Sequence, residues 1–340
     1  MKRESGSVAD LKVSVVLTAL NEGSTIRKVI LHLLEQTRRP DEIVICDGGS
    51  TDDTVPQLQQ LIATGAPLKV VVSNGACRGA GRNRAIEAST NPLIALTDAG
   101  TIAHPRWLEH LLSPCIVNPS IEVVYGMVIP QMKDRFSRCL AALTIGHSHV
   151  NGRLCPTVAS LLVRKRVWWD VGGFPEGLTT AEDLIFLDRL RAYAASSTQA
   201  PEAMVFWSIP SSLSAIFRRL SLYSRGGLAA GFAKQWHYGT LRNCCIFAFL
   251  TLAGLLLHPG LLLGLPCFQG LRVHKYLRRM PWFRQHNLWE IVLNYLFSGL
   301  ILATMDLATL NGLWRWIVQD HCRRQAITRG VNPLIQKPGN

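Results

Sequence analysis

The first two hundred residues predict an α/β domain on a mostly parallel sheet, and the residues after them a helical, apolar and basic region. Three observations carry this expectation. Two strand-then-helix units fit into the first fifty residues; short apolar runs such as Leu93–Leu96 stop abruptly at acids; and charge and hydropathy change character beyond residue 202. Continuous apolar runs suit strands covered on both faces, and repeated βα units suit right-handed parallel connections in a doubly wound sheet. At 340 residues the chain is longer than one average domain.

Val13–Ala19, VSVVLTA, is dominated by β-branched residues and reads as the first buried strand. Asn21-Glu22-Gly23 breaks it, and Ser24 or Thr25 is placed to cap a helix with Ile26, Val29, Ile30, Leu33 and Leu34 at helical spacing. Arg38-Arg39-Pro40 ends that helix. Glu42–Cys46 is the second strand, stopped by Asp47-Gly48-Gly49-Ser50, and Asp52 or Asp53 is placed to cap the next helix. Asp47 at a strand's carboxyl end can accept hydrogen bonds from a base or ribose, and the glycines behind it leave room for stacking. Leu68–Ser73 is the third strand. After it, Gly79 and Gly81 with Arg78, Arg82 and Arg84 at a helix start are expected to form an anion site from free N–H groups, the helix dipole and guanidinium forks. The fourth strand closes at Thr97-Asp98, followed by the small Ala99, Gly100 and Thr101. In an open α/β sheet, ligands bind at strand carboxyl ends, where Asp98 suits an oxygen-loving divalent cation bridged by phosphate. The plainer alternative is that Asp98 only starts a turn.

Pro105–Leu112 reads as a short helix, Val123–Ile129 as a strand and Val158–Val163 as strand-like, while Ser137–Val150, with His147 and His149, gives no assignment. Gly172-Gly173-Phe174-Pro175 is a tight loop that can approach an acceptor. Thr179 or Thr180 is placed to cap a helix running to about Ala195, which puts Glu182 and Asp183 in its first turn, where acids are favoured. Favouring the helix start is enough to explain one of the two. A carboxylate beside an acceptor hydroxyl can also take its proton during group transfer.

Read in order, VSVVLTALNE, DEIVICDGGSTDDT, RGAGRNRA, TDAG and EDLIF resemble glycosyltransferase family 2 of the GT-A type, in a membrane-associated, bacterial-type form, over about residues 11–215. The resemblance implies a Rossmann-like, mostly parallel sheet and inverting transfer of a sugar from a nucleotide diphosphate. It also implies that Ala19, Glu22 and Asp47 line the nucleotide pocket, that Asp98 matches the first acid of the D-x-D metal motif and so ligates Mg or Mn, and that Asp183 is the catalytic base. Gly100 stands where the family has its second acid, which leaves a metal to Asp98, diphosphate and water. Arg82 is then the candidate to carry part of the diphosphate charge. Glu182 and Arg78 are secondary candidates, and His104 is either an extra ligand or the cap of the helix that begins at Pro105.

The net charge of +13 is unevenly placed: from residue 203 onward there are 15 Lys+Arg against three acids. That half also holds the long apolar runs, so its expected partner is an anionic membrane surface and not nucleic acid. The nine cysteines show no CxxC spacing and read as apolar fillers in a reducing compartment. MKRESGSVAD has no apolar run behind its basic residues, so no cleaved signal is expected. Residues 216–243 mix basic and aromatic residues as interface helices do. Gln235-Trp236 approaches the Q-x-x-R-W element of processive synthases but lacks its Arg, which disfavours polymerisation. Residues 244–310 form a membrane region of two apolar segments, 244–268 and 288–310, followed by a polar tail, 311–340. The first segment has 25 residues without Asp, Glu, Lys or Arg but is broken at His258-Pro259-Gly260, so it is either one kinked span or a re-entrant hairpin. Five Lys+Arg and no acid between Arg272 and Arg284 place that loop on the cytoplasmic side. The expected protein is a membrane-attached, cytoplasm-facing glycosyltransferase with a nucleotide diphosphate sugar donor and a lipid or membrane-embedded acceptor. The alternatives are a polyprenyl-phosphate sugar synthase and a catalytically inactive nucleotide-sugar-binding scaffold.

Overall fold

The computed structural model describes residues 8–144, 156–193, 196–280, 282–283 and 287–319. They group into two compact units, the first built from residues up to 129 and from 154–208, the second from 130–153 and 209–331.

In the first unit β1 (Val13–Ala19), α1 (Ile26–Leu34), β2 (Glu42–Asp47), α2 (Thr54–Ala63), β3 (Leu68–Val72), α3 (Arg78–Ala88) and β4 (Leu93–Leu96) alternate. β1 pairs in parallel with both β2 and β4, and β2 with β3. The chain continues through β5 (Thr101–Ala103), α4 (Trp107–Val117) and β6 (Val123–Pro130), leaves for α5 (Arg135–Thr144) in the second unit, and returns with β7 (Leu161–Arg164), α6 (Lys165–Asp170), α7 (Glu182–Ala192) and β8 (Ser197–Trp207). One eight-stranded sheet results, in the order β3-β2-β1-β4-β7-β6-β8-β5, with its later pairings antiparallel. The first strands are continuously apolar because the two cores use opposite faces of the same strands. Val13, Val15, Leu17, Ile43 and Ile45 pack with α1, α2 and Trp107, while Val16, Val44, Cys46, Ile94 and Leu96 pack with α3, Trp168, Phe174 and Phe186. β6 squeezes between its neighbours at Gly126, where a Cβ would fall 2.1 Å from Ser160 Oγ.

Several expected boundaries move. α4 runs to Val117 because Leu111, Leu112 and Cys115 are buried along it. The strand expected from Val158 opens with a 3-10 turn, Val158–Ser160, before pairing from Leu161. Part of the unassigned stretch 137–150 is helix α5; His147 and His149 lie outside the described residues.

The second unit contains α5, α8 (Leu213–Ala229), α9 (Ala233–Leu256), α10 (Gly264–Leu277) and α11 (Leu288–Gln319). Cys139, Leu140 and Leu143 of α5, Ile216 of α8, Val273 and Leu277 of α10, and Ile301 and Leu302 of α11 share one core. α8 and α11 approach closely at Gly312, where a Cβ would fall 2.4 Å from Ser224 Oγ. Asn311 Nδ2 donates to Ser221 Oγ and Ser224 Oγ to the Thr309 carbonyl, so the helix continues through residues expected to begin a tail. α9 likewise passes without a break through the expected boundary at residue 243, and both His237–Leu256 and Leu288–Val318 are long and apolar enough to cross a membrane. Only 11% of the first is buried, unlike the core helix of a soluble protein.

Candidate active site

The strand order reverses around β1, which has β2 on one side and β4 on the other, and ligands of open α/β sheets bind at such a reversal, outside the carboxyl ends of the strands. The register puts Ala19 level with Asp47, so the loops after β1 and β2 leave the sheet side by side. They are stitched together. Asn21, held at φ +55°, donates from its N–H to Ser50 Oγ and accepts from the Thr51 N–H. Glu22 N–H donates to Thr54 Oγ1, and Gly23 N–H to Asp52 Oδ2. Of the two candidate caps of α2, Asp52 accepts the Thr54 N–H, at 3.0 Å. Asp53, the residue before the helix, makes no capping bond.

Asp47 is buried and turned into its own loop. One oxygen accepts the Gly49 and Ser50 N–H groups at 2.9 Å each, and the other accepts Ser50 Oγ at 2.5 Å. Its carboxylate thus shapes the loop expected to meet a nucleotide. Glu22 is half-buried and accepts Thr25 Oγ1 at 2.9 Å.

Across from these loops, Arg82 of α3 joins two acids expected at the site. Its Nη1 donates to Glu182 Oε1 at 2.6 Å and its Nη2 to Asp98 Oδ1 at 2.8 Å. The Arg82 and Glu182 side chains are 5% and 4% exposed, whereas Asp98 is 39% exposed, so the bridge runs from the interior to an open carboxylate. Burial by itself favours neutral guanidine, but Asp98 and Glu182 outweigh it and hold Arg82 protonated well above its ordinary range. Arg82 also lies 5.4 Å above the Phe174 ring, which stacks on Phe186 at 4.0 Å. The expected anion site at the start of α3 therefore differs from the sequence reading: the Arg82 charge is spent on two carboxylates, and Arg78 and Arg84 stand exposed.

α7 starts behind Ala181, which adopts φ +69° and takes the N-cap position where a threonine is expected. A non-glycine residue in that region costs about 1–3 kcal/mol and persists only where surrounding structure imposes it. Here the Glu182–Arg82 pair is buried directly behind it. Asp183 follows, half-buried, with Oδ1 accepting the Leu184 N–H at 2.9 Å. Burial, reinforced by the neighbouring Glu182 and partly opposed by Arg82, raises its pKa above the usual carboxylate value.

Asn83, which the sequence reading passed over, fastens the 172–176 loop. Its side-chain amide donates to the Phe174 carbonyl and Glu176 Oε1, and its oxygen accepts Trp168 Nε1 and the Phe174 N–H. Gly79 lets α3 approach that loop, since a Cβ there would lie 2.2 Å from the Pro175 carbonyl oxygen. His104 lies in the turn that leads into α4, whose N-cap is Arg106: its Nδ1 accepts the Arg106 N–H at 3.2 Å and its carbonyl the Trp107 N–H. Among the described residues no three His, Cys, Asp or Glu side chains gather to hold a metal. What the arrangement offers is one exposed carboxylate backed by a buried arginine, and a second carboxylate of raised basicity on the next element.

Comparison with known proteins agrees with this layout. Residues 14–155 match the family described as Glycosyl transferase family 2. The chain is 27% identical over 188 residues to glycosyltransferase AglE of Haloferax volcanii, covering 52% of this chain and 60% of AglE. It is 32% identical over 146 residues to glucosyl-3-phosphoglycerate synthase of Mycolicibacterium smegmatis, covering 36% and 45%. The chain thus spans less than two thirds of the length of these curated relatives. Among solved structures, the mannosyltransferase PcManGT of Pyrobaculum calidifontis, in complex with GDP-Man and Mn2+, superposes with TM-score 0.55 over 91% of this chain and 88% of that one, at 16% identity. That likeness concerns the fold, a GT-A α/β unit followed by a helical C-terminal region. The α/β part of the chain carries the five expected motifs in order on this fold, and residues 14–155 are similar to glycosyl transferase family 2.

Proposed function

We propose that the chain transfers a sugar, with inversion, from a nucleotide diphosphate sugar to a lipid or other membrane-associated acceptor. The observation that carries this reading is the run Asp98–Arg82–Glu182 with Asp183 beside it, at the end of the sheet where the β1 and β2 loops converge. The loops carrying Ala19, Glu22 and Asp47 receive the nucleotide, and the narrow positions at Gly48 and Gly49 leave space for its base. Arg82 fixes the Asp98 carboxylate beside the diphosphate. Asp183, made more basic by burial, accepts the acceptor hydroxyl's proton as the new glycosidic bond forms.

A Mg or Mn ion, as the family pattern implies, would be held by Asp98, whose carboxylate has one oxygen engaged by Arg82, together with oxygen ligands from the donor. Such an ion would supply charge stabilisation to the departing diphosphate. With Gly100 in place of a second acid, Asp98 would be the motif's one carboxylate available to such an ion. The acceptor side is assigned to the membrane because the chain's basic, apolar half follows the α/β unit. The basic stretch Arg272–Arg284 supports a cytoplasmic face.

The purified full chain, supplied with UDP- and GDP-sugars and either Mg, Mn or chelator, should release nucleoside diphosphate from at least one donor. No release from any donor in the presence of membrane lipid would leave nucleotide-sugar binding without turnover.

A further inference from the structure

The segment between Arg242 and Arg272 doubles back on itself. The Phe247 and Phe268 rings lie 5.1 Å apart, edge to face. On one continuous helix, at 1.5 Å per residue, they would be roughly 30 Å apart. α9 also touches the returning chain nearer the turn: a Cβ on Gly254 would fall 2.5 Å from the side chain of Leu262 in the 3-10 turn, and one on Gly264 of α10 3.0 Å from that of Leu250. The turn is closed by His258, whose Nδ1 accepts the Gly260 N–H at 3.1 Å, and by the short 3-10 helix Pro259–Leu263. Position 247 faces 268, 250 faces 264 and 254 faces 262, so Arg242 on one arm stands level with Arg272 on the other.

Both arms therefore leave the uncharged zone at one height. Beyond that height α10 carries Lys275 and is followed at once by Arg278 and Arg279, and α9 carries Lys234; on the turn side there is no Asp, Glu, Lys or Arg. Arg272 itself is tied to α11 by a two-pronged pair with Asp306, at 2.7 and 3.0 Å, and lies against the Phe247 and Phe268 rings. The tip is apolar and uncovered: Leu256 is 72% and Leu257 79% exposed, with Phe249, Leu252, Leu255 and Leu263 also exposed. From Cys244 to Leu256 the longer arm rises about 20 Å, against a hydrocarbon core of about 30 Å. This uncharged part is shorter than that core and fits one leaflet; the helix reaches crossing length, over His237–Leu256, only by taking Arg242 into the span.

We propose that residues 244–271 form a re-entrant helical hairpin that buries its tip in the hydrocarbon of one leaflet of an anionic bilayer and returns both arms to the same face. Positive charge collected at the level where the arms emerge matches anionic headgroups, and leucines at the tip match acyl chains. The proposal deepens the membrane-bound reading above by naming its lipid partner; it rests on attachment to a bilayer and not on glycosyl transfer.

The test counts labels per molecule. Tyr238→Cys and Arg279→Cys are combined in a full chain whose nine cysteines are replaced by alanine. This chain is reconstituted in sealed phosphatidylethanolamine–phosphatidylglycerol vesicles and treated with a membrane-impermeant maleimide. A hairpin gives two labels or none on each molecule, whichever way it inserted, and intact-mass measurement reads this directly. One label per molecule means that the segment crosses, and overturns the proposal. If the cysteine-free chain does not fold, the unaltered chain serves, because Cys245 and Cys267 are exposed on the two arms. Peptide mapping should find both protected in vesicles and modified at least tenfold more after detergent. Ready labelling in intact vesicles, or protection that persists in detergent together with a dimer mass, rejects lipid as the occupant. Nucleoside diphosphate release from the same samples reports on the enzyme separately, so a two-or-none pattern without turnover upholds the hairpin and counts against the catalytic reading.

Discussion

Asp183 and Glu182 are adjacent acids with opposite situations. Glu182 is buried against a guanidinium, while Asp183 is half-buried with a backbone N–H on one oxygen and a raised pKa. Burying an ion pair is costly in desolvation and breaking it is costlier, so the Arg82–Glu182 pair specifies the geometry of the site more than it adds stability. Asp183→Asn keeps the side-chain size but removes proton acceptance, and turnover should fall roughly two to four orders of magnitude with donor affinity nearly unchanged. The pH dependence follows from the direction of the shift. A base must be deprotonated, so activity should fall on the acid side at a higher pH than an ordinary Asp would give, and that limb should vanish in the variant. The stability sign is opposite to the usual carboxylate case. A folded-state pKa raised above the unfolded value means that Asp183 favours folding in its protonated form, a contribution present at low pH and lost as pH rises through the folded pKa. Asp183→Asn should therefore melt no lower than the wild type at pH 7, while losing activity. Glu182→Gln should show the reverse balance, costing about 1–3 kcal/mol of stability through the weakened Arg82 contact and less in turnover. Kinetics and thermal melts of both variants across pH check this. An active Asp183→Asn enzyme would move the base elsewhere or leave an acceptor phosphate attacking unaided.

At the level of elements, α3 organises the site, for Arg82 and Asn83 point from its first turns to α7 and to the 172–176 loop. Asn83 makes four hydrogen bonds, with Trp168 Nε1 and both backbone groups of Phe174 among its partners. Asn83→Ala should cost about 2–4 kcal/mol by leaving buried donors unpaired, visible as a lowered melting temperature and as protease cleavage near residues 172–177. An unchanged melting temperature would mean that the loop is fastened otherwise. The elements differ in how far the sequence announces them. β1 through β4 are legible because each is buried on both faces and bounded by Asn, Asp or Gly, and their order along the chain already places Asp47 and Asp98 at strand ends. β5 is invisible, since three residues carry no pattern, and β8 is obscured by its exposure pattern, with Gln199, Glu202 and other polar residues alternating irregularly with Ala200, Ala203 and Val205. Threonines ahead of α7 suggest a cap, yet the left-handed Ala181 stands at that position instead. Arg82 reads from sequence as a free anion binder; that it is shared by two acids depends on Glu182, 100 residues away, and no local pattern shows such a pair.

The chain as a whole divides its chemistry by position: residues up to 202 are nearly neutral, and those beyond carry most of the +13 charge together with both long apolar helices. Two forces would compete in the proposed attachment to membrane. Basic residues near an anionic surface contribute about 1 kcal/mol each, but the interaction is screened within about 3 Å at 1 M salt. Apolar burial contributes about 25 cal/mol per Å2 and is not weakened by salt. The leucines of α9 and the turn after it, with Leu296, Leu300, Leu307 and Trp314 along α11, are large apolar side chains left exposed, and grouped exposed apolar residues mark interaction surfaces. Apolar burial should then dominate. Membranes carrying the full chain, washed with 1 M NaCl, should keep nearly all of it in the pellet, whereas a mild detergent should release it at low salt. Neutralising Lys275, Arg278 and Arg279 together should leave this salt resistance in place and weaken only recruitment to vesicles rich in anionic lipid. Release by salt alone would show that charge holds the protein at the surface and that the apolar faces of α9 and α11 are covered by something other than lipid.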